Sequence, residues 1–126
     1  MNNLRKKKLI LKSDRFFVAG SRGMVGKSIV CSLKNSGYGI KEKGGIIFTP
    51  PREELDLLAY NQVDNWFSNN KPSVVILAAA KVGGINANNL KPAEFILENL
   101  KIQNNVIELA WKHKVKRFLF LGSSCI

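Results

Sequence analysis

With 126 residues, 45% hydrophobic and 23% charged, the chain has room for one domain with a genuine core, and its composition excludes a disordered polymer. A net charge of +11, two cysteines and one histidine exclude a zinc-ligand cluster and point to free thiols in a reducing, cytoplasmic compartment. No apolar run reaches signal-peptide or membrane-spanning length, so no membrane partner is expected.

The first fifteen residues hold Arg5, Lys6, Lys7, Lys8, Lys12 and Arg15, partly offset by Asp14. Residues 1–14 read as a basic tail. Such an arm can bind phosphate polymers non-specifically, but a solvated terminus is the simpler reading, and no nucleic-acid partner is expected.

Arg15–Ala19 is a short buried strand stopped by Gly20. Met24–Asn35 follows as a helix, with Val25, Ile29, Val30 and Leu33 at helical spacing until Gly37 and Gly39 break it. Gly45–Thr49 reads as a second strand closed by Pro50 and Pro51, with Leu55–Leu58 a candidate extra edge strand. Leu57–Ser68 reads as a helix anchored by Val63, Trp66 and Phe67. Val74–Leu77 is a continuous β-branched strand after Pro72.

Ala93–Lys114 is the longest helix, with Pro92 suited to its first turn. Its apolar residues form two stripes, one of Ile96, Leu100, Ile107 and Trp111, the other of Phe95, Ile102, Val106 and Leu109, so it should touch two neighbours. Arg117–Leu121 is the last strand. Phe118 and Phe120 alternate with Leu119 and Leu121, so neither of its faces is polar, and at a sheet edge it should aggregate or recruit another chain.

This alternation predicts an α/β fold, a Rossmann-like doubly wound parallel sheet, incomplete at its C-terminal side. Ligands of such sheets sit beyond the carboxyl ends of the strands. Gly20–Gly26, Ala78–Gly84 and Gly122–Cys125 each follow a strand and therefore share one rim.

Gly20-Ser21-Arg22-Gly23-Met24-Val25-Gly26 has the spacing GxxGxxG. Gly20 permits the tight turn, Gly23 lets backbone approach phosphate, and Gly26 lets the helix pack closely on the sheet. Free N–H groups at the helix start favour a dinucleotide pyrophosphate, with Arg22 adding charge and Ser21 a hydroxyl. At the end of the second strand Arg52 precedes any carboxylate. This favours NADP, with Arg52 on the 2′-phosphate, although Glu53 and Glu54 follow and leave NAD open. Ala78, Ala79 and the glycines beyond would let ribose and nicotinamide approach the rim. In Leu121-Gly122-Ser123-Ser124-Cys125, the serines suit a carbonyl oxygen and Cys125 an acidic proton. His113, in a lysine-rich helix end, reads as a cap or a solvent-facing residue with no site role.

In this order, VAGSRGMVG, REELDLL, LAAAKVGGINANN, PAEFILENL and RFLFLGSSCI resemble the GDP-L-fucose synthase family, epimerase-reductases among the extended short-chain dehydrogenase/reductases. The resemblance covers residues 15–126. It implies NADP on Gly20–Gly26, with Arg52 at the 2′-phosphate and Asp56 and Leu57 beside the adenine. It also implies Ala78, Ala79, Leu121, Gly122, Ser123 and Ser124 along the cofactor, Ser123 on a sugar 4-keto group, and Cys125 as the epimerising base. The implied substrate is GDP-4-keto-6-deoxymannose, and the implied partner is a second copy docked on the long helix. The family's Tyr-x-x-x-Lys pair is absent, since Tyr38 and Tyr60 are followed four residues later by Glu42 and Asp64. The resulting expectation is the amino-terminal, NADP-binding portion of such an enzyme, from a truncated or split gene and inactive alone. Alternatives are a fragment of another NAD(P)-dependent nucleotide-sugar epimerase or dehydratase, and a non-catalytic nucleotide-binding module that works by pairing with a companion carboxyl-terminal chain.

Overall fold

A computed structural model of the chain describes residues 7–79 and 92–122. The strands are β1 (Arg15–Ala19), β2 (Ile46–Phe48), β3 (Val74–Leu77) and β4 (Arg117–Phe120), and the helices are α1 (Met24–Asn35), α2 (Tyr60–Asn70) and α3 (Pro92–Lys112). The four strands form one sheet in the order β2-β1-β3-β4, every pair parallel. The fold is therefore the α/β, Rossmann-like arrangement. The chain leaves β1 for β2 on one side and returns to β3 on the other, which makes the end of β1 the switch point.

Alternation along the central strands divides the core into two layers. Phe17, Ala19, Val75 and Leu77 pack against Val63 and Phe67 of α2 and Val106, Leu109 and Ala110 of α3. Phe16, Val18, Val74 and Ile76 face the other way, against Ile29, Val30 and Leu33 of α1. Phe16, Phe17 and Val18 are at most 1% exposed. The α3 stripe of Phe95, Ile102, Val106 and Leu109 divides between part-buried and fully buried positions. Its other stripe, Ile96, Leu100, Ile107 and Trp111, is exposed, with Trp111 at 81%.

Helix ends follow from local chemistry. After α1, Gly37 takes φ +80° and donates to the Lys34 carbonyl while Tyr38 donates to Leu33, a Schellman closure. The same pattern ends α3 two residues earlier than expected: Lys114 adopts φ +56°, with Val115 donating to Ala110. Residues 55–58 form no strand. The Leu55 N–H donates to Pro51 O, and Asp56 Oδ1 accepts from the Leu58 N–H, so the segment turns, and α2 starts at Tyr60 rather than Leu57.

The described end of the basic segment is tied to the sheet. Asp14, 5% exposed, accepts from the Leu11 N–H (2.6 Å) and the Ser73 hydroxyl (2.9 Å) and pairs with Lys116 (2.7 Å). Burial pushes its carboxyl up, but Lys116, Leu11 and Ser73 together outweigh that, and the net shift is downward. Arg15 donates twice to the Asn70 carbonyl, and Ile10 packs on the α1-side core.

Between α2 and α3, Asp64 meets Lys112 at 2.9 Å and His113 Nε2 at 2.6 Å. His113 is thus neither solvent-facing nor a cap through its side chain; it is part-buried beside Phe67. The bonds from Lys112 and then His113 hold the Asp64 carboxyl below the usual range, and Asp64 holds Lys112 above its own.

Candidate functional site

Gly20 ends β1 with φ +85°, and a Cβ there would lie 2.6 Å from Ala79 N and 2.7 Å from the Ala78 carbonyl. Only glycine fits that turn. A Cβ on Gly26 would stand 2.0 Å from Gly20 O, so the first turn of α1 rests on the turn before it. Gly23 differs, because its Cβ would meet nothing nearer than Gly20 O at 3.5 Å. The protein makes no steric demand for glycine at that position; a ligand approaching the backbone would.

Gly23 N–H donates to Gly20 O, and Lys27 N–H opens the helical ladder onto Gly23 O. The N–H groups of Met24, Val25 and Gly26 have no intrahelical acceptor. No side chain caps α1, and its first turn holds no acid. A helix start that is bare of both, at the switch point of a parallel sheet, suits an anion.

Beside this turn lies a cleft of about 210 Å³ on the α2–α3 face of the sheet. Phe17 and Ala19 form its floor, Gly20, Ser21 and Arg22 one wall, and Ala79 closes it toward β3. The opposite wall is the segment after β2, from Pro50 to Arg52 and Leu55 to Leu58, with Glu98 and Ile102 of α3 completing it. That segment is held by the Asp56 turn, by Gln62 accepting from Asp56 N–H (2.8 Å), and by Asn105 donating to Leu57 O (2.9 Å). Its lining is mostly apolar and prolyl, a surface for a flat ring.

Seven expected cofactor residues line this cleft: Gly20, Ser21, Arg22, Arg52, Asp56, Leu57 and Ala79. Gly23, Met24, Val25 and Gly26 stand next to it at the start of α1, Met24 being 84% exposed. Ala78 lies against Gly20. Leu121 and Gly122 follow β4 on the same rim, where Leu121 N–H donates to Leu77 O, but they do not line the cleft. Ser123, Ser124, Cys125 and the small residues 80–85 lie outside the described residues.

Arg52 is exposed and has no hydrogen bond or ion pair among the described residues. Arg22 meets Glu53 at 3.7 Å, both more than 70% exposed. Sequence reasoning missed Pro50, Pro51 and Ile102 as cleft walls. The prolines were legible only as strand terminators, and Ile102 only as one position of a helix stripe.

The described helices include none long and apolar enough to cross a membrane. Among the described residues no three His, Cys, Asp or Glu side chains converge as metal ligands.

Comparison with known proteins adds to this geometry. The NAD dependent epimerase/dehydratase family matches residues 16–126. GDP-L-fucose synthase 1 of Arabidopsis thaliana is 52% identical over 115 residues, 91% of this chain and 34% of its own length. GDP-L-fucose synthase of Escherichia coli is 43% identical over 117 residues, 92% of this chain and 34% of its own. The solved structure of MlghC, a GDP-mannoheptose C4 reductase from Campylobacter jejuni with NADP bound, superposes with a TM-score of 0.80 at 34% identity, covering 90% of this chain and 34% of that one. The chain spans about a third of the length of the curated relatives it matches.

Proposed function

The chain belongs to the NAD dependent epimerase/dehydratase family, and from that premise we propose that residues 15–126 form the NADP-binding portion of a GDP-L-fucose synthase. The observation that carries this reading is the glycine turn. Gly20 and Gly26 are required by the fold itself, Gly23 is open, and the α1 start presents uncapped N–H groups where a diphosphate would sit. Identity of 43–52% to proteins named GDP-L-fucose synthase supports the substrate class, a GDP-linked 4-keto sugar.

When bound, NADPH supplies the hydride for reduction of such a ketone. The chain's own part is to hold and orient. The turn receives the diphosphate, the Pro50–Leu58 wall receives the adenine, and Arg52 supplies an uncommitted cation at the adenosine end. Ser123 keeps its proposed place as hydrogen-bond donor to the sugar keto oxygen, and Cys125 its place as the base that removes the neighbouring protons. The exposed Ile96–Trp111 stripe of α3 suits a contact with a second copy. The free, exposed Cys31 is in keeping with a cytoplasmic setting.

A second reading rests on β4. Phe118, Leu119, Phe120 and Leu121 are 37–50% exposed, so this edge suits further strands pairing there, which would make the chain a nucleotide-binding module within a larger sheet. Calorimetric titration of the folded chain tests the first claim. Saturable NADPH binding is expected, and the absence of heat with millimolar NADPH and NADH overturns it.

A further inference from the structure

Every strand of the sheet is entered from the same end. Arg15 lies beside Ile46, Phe16 beside Val74, and Val74 beside Arg117, so the segments leading into the strands share one base, opposite the glycine-turn rim. Each of those segments brings exposed lysines: Lys7 and Lys8 ahead of β1, Lys41 and Lys43 ahead of β2, Lys71 ahead of β3, and Lys114 ahead of β4. The described part of the basic tail is tied there. Arg117 Nε donates to Leu9 O at the start of β4 (3.2 Å), Ile10 packs on the α1-side core, and Lys12 stands over the Tyr38 ring.

The charge of this base is almost all of one sign. Its described acids are Asp14, buried and paired with Lys116, and Glu42. Arg15 and Lys112 are occupied as well, by the Asn70 carbonyl and by Asp64. The side chains of the six exposed lysines have no hydrogen bond or ion pair among the described residues. The rim is different: Arg22, Lys27 and Arg52 share it with the acids of residues 53–56 and of the first two turns of α3. Lysines at helix C-termini complement the helix dipole, which accounts for Lys71 after α2 and Lys114 after α3. It does not account for Lys7, Lys8, Lys41 and Lys43, which lie outside the last turn of any α-helix. Like charges gathered at one end repel each other, and a bound polyanion relieves that repulsion.

Spacing sets the kind of polyanion. Neighbouring strands lie about 4.8 Å apart, so four entries in the order β2-β1-β3-β4 make a row about 14 Å long. One strand of a nucleic-acid duplex carries a phosphate about every 3.4 Å along its axis, or about four over that length. A single phosphate would meet only one segment of the row. We propose that this base is a docking surface for nucleic acid, gripped through its phosphates by the lysines of the strand entries and the tied tail, with no base read. As a sequence, only the tail suggested such a partner; the fold brings three further lysine-bearing segments to the same end. The proposal does not depend on the dinucleotide reading, since the two surfaces lie at opposite ends of the strands.

Anisotropy of a labelled DNA duplex of about 20 base pairs, titrated with the full chain between roughly 50 and 200 mM salt, tests it. Binding is expected, with log K falling against log salt at a slope of about −4, for about four phosphate contacts. Lys71→Asn with Lys114→Asn should flatten that slope by about 2 and weaken binding about ten-fold at the low-salt end. Asparagine tolerates the positive φ of both positions, +48° and +56°, so the fold should persist, which circular dichroism checks. Lys27→Gln with Lys101→Gln removes the same charge away from the base and should leave duplex affinity within about two-fold. Equal weakening by the two variants overturns the proposal, because net charge and not this surface would then hold the duplex. So does an unaltered chain that ignores the duplex at low salt, whether or not it sediments with phosphatidylserine vesicles, as a membrane-docking surface would.

Discussion

The two ends of β1 use charge in opposite ways. At its start, Asp14 is buried and its carboxylate is fully engaged by the Leu11 N–H, the Ser73 hydroxyl and Lys116, while Arg15 is spent on the Asn70 carbonyl. At its far end, five residues on, the glycine turn carries no buried charge. The side chains of its neighbours Lys27, Lys34 and Arg52 have no hydrogen-bond or ion-pair partners among the described residues, and that of Arg22 has only the exposed Glu53. Buried charge at the base is structure. Charge at the rim is not committed to the fold, which is what the proposed dianion-binding role requires.

The strongest way to break this contrast is to put a side chain into the turn. Gly26→Val places Cβ where Gly20 O already stands at 2.0 Å, and only backbone movement relieves it. Overpacking of this kind should cost about 3 kcal/mol, seen as a lower denaturant midpoint. Dinucleotide binding should vanish in whatever remains folded. Retained binding at unchanged stability would mean that the α1 start does not rest on Gly20.

Next in size is Asp14→Ala. Removing a buried acceptor of two hydrogen bonds and an ion pair should cost about 2 kcal/mol, yet leave NADPH affinity unchanged. The folded-state carboxyl lies below its ordinary value, so its contribution is whole above the unfolded aspartate range and lost as pH falls through the folded value. The stability gap between the two proteins should therefore close as the pH falls from the unfolded aspartate range through the lower, folded-state value. A gap independent of pH would remove the carboxylate from the account.

What could be read from the residues follows the same division. β1, α1 and β3 have the bounds expected from apolar runs and punctuating glycines, because both signals are local. The strand expected over residues 45–49 is found at Ile46–Phe48, since Gly45 sits in a turn donating to Ile40 O. Leu55–Leu58 reads as strand by composition, yet Asp56 bends it into a turn, and side-chain bonds to backbone leave no apolar pattern. The glycine turn was legible because its requirement is steric and written in one residue type. Asp14 was legible only as a charge offset, and the Asp64–His113 contact not at all. Their partners lie 59 and 49 residues away, and pairing at such distance leaves no periodic trace.

The smallest effect sharpens the comparison most. Glu53→Gln removes the partner of Arg22 at the mouth of the cleft, 3.7 Å away with both side chains more than 70% exposed. An exposed pair of this kind contributes between about 0 and 1 kcal/mol, so the unfolding midpoint should barely move. Binding should respond in the other direction. Losing a negative charge near the pyrophosphate turn, and freeing Arg22, should tighten NADPH about two- to five-fold at low salt. The gain should shrink as ionic strength rises, since the groups are open to solvent. If Glu53→Gln instead lowered stability as Asp14→Ala is expected to, charge at the rim would be structural too, and the two ends of β1 would not differ in kind.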